Sequence, residues 1–339
     1  MADDRFKIHW GTYADPRSLG NAYGYRVHNE SLLAATRKIA NVSNEAEDTV
    51  QIVPPESFRP ILGYYNWLFT MFEGMDLPDF YLDRVPMANY GLVPSTWVKD
   101  LFAPIFPTIK FFVVNHGVSP VFTFKERRFP RPGEKFRFLW VGAPNPRKGY
   151  EEAITAWALT DAIKHSHLEL YIKTTNTSVP FERKGNVILD GRNLPRRMLL
   201  DLYHDAHCFL FPTRGEGFGL TLAEAMATGL PCISTCTTGV SDFFGPEFGY
   251  VVPTHVETSK VGLVTRMDLG GIETKTHFPD TDALSDQIVR VVDCYDEALE
   301  LGRRASEHIK KNFTWERSAE TLISVMRHEY EARHACDTN

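Results

Sequence analysis

The sequence offers little to a disulfide framework, a membrane span or a polyanionic partner. Its five cysteines, Cys208, Cys232, Cys236, Cys294 and Cys336, form an odd and scattered set, which argues against a stapled secreted scaffold. No apolar run reaches the ~18 residues that a membrane helix needs, and the opening segment is charged, so neither span nor leader peptide is expected. With 37 Lys and Arg against 43 Asp and Glu, the net charge of -6 gives no general attraction to nucleic acid. A cytoplasmic location follows. No Gly-x-Gly-x-x-Gly follows the first predicted strand, which weakens a dinucleotide reading. Zinc spacing is missing too: Cys232-x-x-x-Cys236 has no second ligand pair, and His165-x-His167 and His204-x-x-His207 have no partner ligands. Asp280-Thr-Asp282 has the form of a metal-binding Asp-x-Asp, but it directly precedes a helix, and Asp282 is read as the N-cap.

At 339 residues the chain is long enough for two domains. From Phe136 to Val252 strands and helices alternate: strands at 138–141, 168–173, 187–189, 208–212 and 231–235, helices at 150–163, 195–204 and 220–228. That rhythm predicts a doubly wound parallel sheet. The preceding stretch Lys125 to Lys135 is rich in proline, glycine and charge and reads as a linker, whose basic residues leave peripheral membrane contact open. Before it, strands at 6–10, 50–53, 87–93 and 111–114, with helices at 27–39 and 95–102, predict a second, smaller parallel sheet. A glycine-bearing loop from Gly11 to Gly24 opens the first helix, and Gly24 is taken as a ligand-contacting position. Two helices, 283–302 and 314–333, close the chain. The resulting domains are 1–130, 131–312 and a returning helix over 313–335.

The segment Glu216-Gly-Phe-Gly-Leu-Thr-Leu-Ala-Glu224 carries the most chemistry. It runs from an apolar strand into a short helix, so Gly217, Phe218 and Gly219 form a strand-to-helix turn. The glycines let backbone approach a ligand, and the first helical amides, at Leu220 and Thr221, are free donors at the positive end of the dipole. A diphosphate suits that cradle. Glu216 and Glu224 flank it, and since carboxylates repel phosphate, their natural partners are the hydroxyls at the two ends of a nucleotide sugar. Glu216 then orients the transferred sugar and Glu224 the ribose, with uracil or guanine near Gly191 to Leu194.

Assembled in this order, the residues resemble the retaining glycosyltransferases of the GT-B architecture, family four or group 1: two Rossmann-like α/β domains with parallel sheets facing a cleft. The resemblance runs from about Phe136 to Glu320 and more faintly through residues 1–135. Val141-Gly-Ala-Pro-Asn-Pro-Arg-Lys148-Gly149 resembles the loop whose lysine grips the donor diphosphate, the glutamate pair resembles the family signature, and Phe313-Thr-Trp315 resembles the segment returning to the N-terminal domain. The resemblance implies metal-independent transfer of a hexosyl unit from a UDP- or GDP-sugar, with no further cofactor, to a glycan, lipid-linked or small-molecule acceptor.

Two departures accompany it. Ala143 stands where the family often has arginine, leaving Arg147 or Lys173 to supply the second cation. The usual N-terminal histidine is missing from its place, and Glu73, in Phe69-Thr-Met-Phe-Glu73, is taken as its substitute, with His116 as rival. Lys148, Glu216 and Glu73 are therefore the expected catalytic residues. A silent nucleotide-sugar-binding module and a sugar-nucleotide epimerase remain as alternatives, and a nicotinamide oxidoreductase is disfavoured.

Overall fold

The structure, a computed structural model, describes residues 6–11, 23–160, 167–261 and 272–335. Of the predicted loop from Gly11 to Gly24, residues 12–22 lie outside the described residues, as do His165 and Cys336. The described chain divides into two compact units, one holding residues 6–117 and 313–335, the other 118–261 and 273–312.

In the first unit, strands β1 (Ile8–Trp10), β2 (Asp48–Ile52), β3 (Tyr65–Phe69), β4 (Tyr90–Val93) and β5 (Lys110–Val113) pair in sequence order, all parallel. Helices α1 (Tyr23–Thr36), α2 (Asp79–Arg84) and α3 (Thr96–Phe102) connect them. The sequence reading missed β3 and α2. The strand is buried through Asn66 to Phe69, so it shows no alternation, only a short aromatic run. Helix α3 starts where Ser95 Oγ accepts from Val98 N. One face of the sheet packs on α1 and the last helix of the chain (Trp315–Ala335) through Trp10, Leu32, Trp67, Trp315 and Met326. The other packs through Phe58, Phe72, Phe102 and Phe111. Ser318 Oγ donates to Asn115 O at 2.6 Å, and a Cβ at Gly117 would lie 2.1 Å from Trp315 N, so glycine lets the last helix close on this unit.

The second unit holds β6 (Phe136–Gly142), α4 (Tyr150–Leu159), β7 (Leu168–Thr174), β8 (Glu182–Lys184), β9 (Val187–Asp190), α5 (Arg196–Asp205), β10 (Cys208–Phe211), α6 (Leu220–Ala227), β11 (Cys232–Thr235) and β12 (Tyr250–Val252). Its sheet runs β12-β11-β10-β6-β7-β9-β8. Every pair is parallel except β8 with β9, an antiparallel edge that the all-parallel expectation lacked. The strand order reverses between β6 and β10, and open α/β sheets bind ligands at such a switch point, beyond the carboxyl ends of the strands. A two-stranded ribbon, β13 (Thr254–Val261) with β14 (Ile272–Pro279), follows, then α7 (Thr281–Asp293) and α8 (Tyr295–Asn312). The aromatic core beneath the sheet centres on Phe136, Phe138, Trp140, Trp157 and Tyr295.

Several boundaries differ from expectation for local reasons. The tail helix predicted over 283–302 is two helices, because Cys294 adopts a non-helical φ of -120° and ψ of 46°. The N-cap of α7 is Asp280, whose Oδ1 accepts from Ala283 N at 3.0 Å, and not Asp282, which lies in the first helical turn. The stretch read as a linker is fastened to the second unit: the Arg127 guanidinium donates to the carbonyls of Tyr203, Ala206 and Thr228. A guanidinium with its planar fork suits such a carbonyl cluster.

Gly149 joins the turn after β6 to α4 at φ 69°, where a Cβ would lie 1.8 Å from Pro212 O. Gly149→Ala therefore combines a disfavoured backbone conformation with a collision against main chain, and its expected cost is roughly 3 kcal/mol. Urea denaturation checks this; a loss below about 1 kcal/mol would mean that the two loops separate without resistance.

Candidate functional site

Because β6 and β10 are neighbours, the turns that follow them meet. The turn after β6 is a short helical bend, Pro146–Lys148, opened by Asn145, whose Oδ1 accepts from Arg147 N. Trp140, fully buried in β6, donates from Nε1 to Lys148 O. The turn after β10 carries Thr213 to Gly219. Arg214 N donates to Arg147 O at 2.8 Å and Thr213 Oγ1 to the same oxygen at 3.1 Å, so main chain stitches the two loops together.

Within this crossing, Lys148 Nζ lies 2.6 Å from Glu216 Oε1, Arg147 Nη1 lies 3.3 Å from the same oxygen, and Thr213 Oγ1 is at 3.3 Å. Arg147 also donates to Gly215 O. Glu216 is 6% exposed. Burial alone raises a carboxyl pKa, yet here Lys148 and Arg147 outweigh it and leave Glu216 below its ordinary value. It is therefore an anion at neutral pH, in a group with two cations. Gly217 and buried Phe218 follow, and Gly219, at φ 105°, caps α6. Leu220 and Thr221 are half-buried at the helix start.

Glu224, in the second turn of α6, has the opposite electrostatics. Burial pushes its carboxyl up to about 8, against weaker pulls from Arg196 and the Tyr203 hydroxyl, which sits 3.4 Å from Oε2. The predicted pair thus consists of one anionic and one protonated carboxyl at neutral pH. Of the two candidate replacement cations, Arg147 is the one gathered beside Glu216. Lys173 is buried at the end of β7 with its ammonium on Thr174 O at 2.6 Å and Asp190 O at 3.1 Å, and burial lowers its pKa. The Gly191 to Leu194 turn is stiffened by Arg192, which grips Asp190 at 2.9 and 2.8 Å and stacks on Phe181 at 4.4 Å.

The remaining candidates lie in the first unit or apart from this group. Gly24 is the exposed second residue of α1. Glu73 is half-buried after β3, where its charge helps to raise the Tyr25 and Tyr81 phenols, both driven up chiefly by burial. His116 is buried with its ring 4.1 Å from that of His28 and 5.9 Å from Trp315, and burial drives it down to about 3, so it is a neutral packing group. His204 bonds Thr123 O and His207 accepts from Arg137 N. Cys232 is a buried thiol and Cys236 a half-buried one.

Sequence reasoning overlooked four residues here. Thr213 and Thr238 both bond Glu216, the latter accepting from its main-chain N at 2.9 Å. Arg214 is 9% exposed and joins Glu152 Oε1 at 2.5 and 2.6 Å, with Phe278 of β14 against its guanidinium at 4.1 Å. An arginine in the turn that follows a buried strand was a readable signal for the last pair; nothing in the local sequence marked the threonines.

Between about pH 4.5 and 8 the folded chain holds a proton on Glu224 that the unfolded chain has lost, so this group makes stability fall as pH rises. Glu224→Gln should lift stability most at about pH 8 and hardly at all near pH 4.5. Melting temperatures across that window test this; parallel profiles for the two proteins would contradict the buried-acid assignment.

Residues 135–264 match the family model described as Glycosyl transferases group 1. A stretch of 130 residues is 27% identical to a D-inositol 3-phosphate glycosyltransferase of Saccharomonospora viridis, covering 38% of this chain and 24% of that protein. The match thus spans about a quarter of the curated relative's length. Among solved structures, a glycosyltransferase from Rickettsia africae superposes with a TM-score of 0.65 at 12% identity, over 96% of this chain and 98% of that one. A TarM variant from S. aureus, solved with fondaparinux, α-GlcNAc-glycerol and UDP, gives 0.61 at 15% identity over 86% and 58%. No helix among the described residues is long and apolar enough to cross a membrane. The chain therefore has the GT-B glycosyltransferase fold, and its second unit carries the group 1 glycosyltransferase pattern that the glutamate pair and lysine loop resemble.

Proposed function

We propose that the protein is a retaining, metal-independent hexosyltransferase that uses a UDP- or GDP-linked sugar and acts in the cytoplasm on a glycan, lipid-linked or small-molecule acceptor. The observation that carries this reading is the convergence of Lys148 and Arg147 on Glu216 at the switch point of the second sheet. Cleaving a bond between an anomeric carbon and a nucleoside diphosphate builds negative charge on the departing phosphate. Two fixed cations, with the amides of Gly219, Leu220 and Thr221, supply positive potential where that charge develops, and they are already held in place before reaction.

Each carboxyl has its own task. Glu216, anionic, accepts hydrogen bonds from hydroxyls of the transferred sugar and sets the angle of that ring. Glu224, carrying its proton at neutral pH, is able to donate to a ribose hydroxyl as well as accept. The base lies against the turn stiffened by Arg192, and the UDP found with the TarM variant supports a uridine donor. In the transfer step the anomeric carbon to phosphate bond breaks, the bond to the acceptor oxygen forms on the same face, and the acceptor's proton passes to the departing phosphate. Arg147 occupies the electrostatic role that Ala143 vacates, which favours an active enzyme over a silent binding module.

A purified sample given a panel of nucleotide sugars should release nucleoside diphosphate. Lys148→Ala and Glu216→Gln should each lower that release by about 10²–10³-fold, the range for losing one preorganised group at a developing charge. Unchanged turnover in both variants would falsify the assignment, and binding without any turnover would favour the silent module.

A further inference from the structure

Among the described residues other than glycine, Thr238 has a positive φ, at 56°. A β-branched residue is disfavoured in that left-handed region, where glycine sits without strain. The turn that holds it, after β11, folds over the Glu216 peptide. Thr238 Oγ1 accepts from Glu216 N at 2.9 Å and donates to Thr237 O at 2.6 Å, while Gly239 N donates to Glu216 O at 2.9 Å. Ser241 Oγ satisfies the Thr238 carbonyl at 2.7 Å, and a Cβ at Gly239 would lie 2.2 Å from Gly217 O. Main chain of residue 216 is thereby clamped on both sides by one turn, and its carboxylate by Lys148, Arg147 and Thr213 on the loops below.

We propose that Thr238 is a positioning residue for Glu216, kept in a strained conformation because only a hydroxyl at that point grips the Glu216 amide. Strain of this kind persists where surrounding contacts over-determine it, and it collects at functional sites. A turn with no task beyond connecting β11 to the next segment would be served better by glycine. The consequence for turnover rests on the glycosyl-transfer reading; the clamp on the amide does not.

The test compares Thr238→Gly with Thr238→Ser. Glycine relieves the strain but removes the hydroxyl and loosens the unfolded chain, and these opposed effects should keep the melting temperature within about 3 °C of the parent. Hydrogen exchange of the peptide spanning residues 215–217 should quicken about tenfold in the glycine variant, the factor that one lost hydrogen bond accounts for. Its kcat for nucleotide-sugar turnover should fall by about the same factor, with the donor KM nearly unchanged. Serine, which retains the acceptor oxygen, should restore both. Exchange or kcat at the parent level in Thr238→Gly, or a serine variant as impaired as glycine, would overturn the proposal. Should the parent turn over no donor, the functional reading fails, and exchange alone still decides whether Thr238 holds Glu216.

Discussion

A carboxylate buried as deeply as Glu216 is an anion only because Lys148 and Arg147 are pressed against it. Taking one ion from water into a protein interior costs several kcal/mol, and opposite charges at hydrogen-bond distance offset that cost only when the geometry is rigid. Much of the second unit supplies that rigidity. Trp140 holds the Lys148 carbonyl, Asn145 the Arg147 amide, and Gly149 permits the main chains of the two turns to touch at Pro212. The ion group is possible because β6 and β10 are adjacent, which brings turns separated by more than sixty residues into one place.

Lys148 and Arg147 both meet one oxygen of Glu216, and Arg147 also donates to Gly215 O. Buried pairs are often no better for stability than apolar residues of similar volume. Glu224 contrasts with Glu216: burial keeps it protonated at neutral pH, so a carboxylate before α6 and a carboxylic acid in its second turn bracket the same glycine-bearing segment. A second layer, Glu152 on α4 with Arg214 and Phe278, ties the helix after the lysine loop to the glutamate loop and to the β14 ribbon.

The first unit is built differently, by aromatic packing on both faces of its five parallel strands. There the expected resemblance was faint, and the structure explains why. Its strands are short, and Tyr65 to Phe69, buried from Asn66 on, carries no alternation that would mark it, while α2 starts at Pro78 with no side-chain cap. His116 has the residue type that a catalytic reading would seek, but its ring lies among His28, Phe69 and Trp315. A histidine in such surroundings is kept neutral by burial, and its type alone did not reveal that.

Local sequence was enough for the alternation of strands and helices in the second unit, the strand-to-helix turn at Glu216 to Glu224 and the lysine before Gly149, because periodicity, glycine and dipole preference are local properties. It also narrowed the second cation to two candidates. Their surroundings came from the fold, which sets the Lys173 ammonium on two carbonyls and Arg147 against Glu216. It likewise set the opposed protonation of the two glutamates, broke the tail helix at Cys294 and put Thr238 into a left-handed turn over Glu216. Those outcomes depend on burial and on contacts between residues distant in the chain, and no local pattern encodes either.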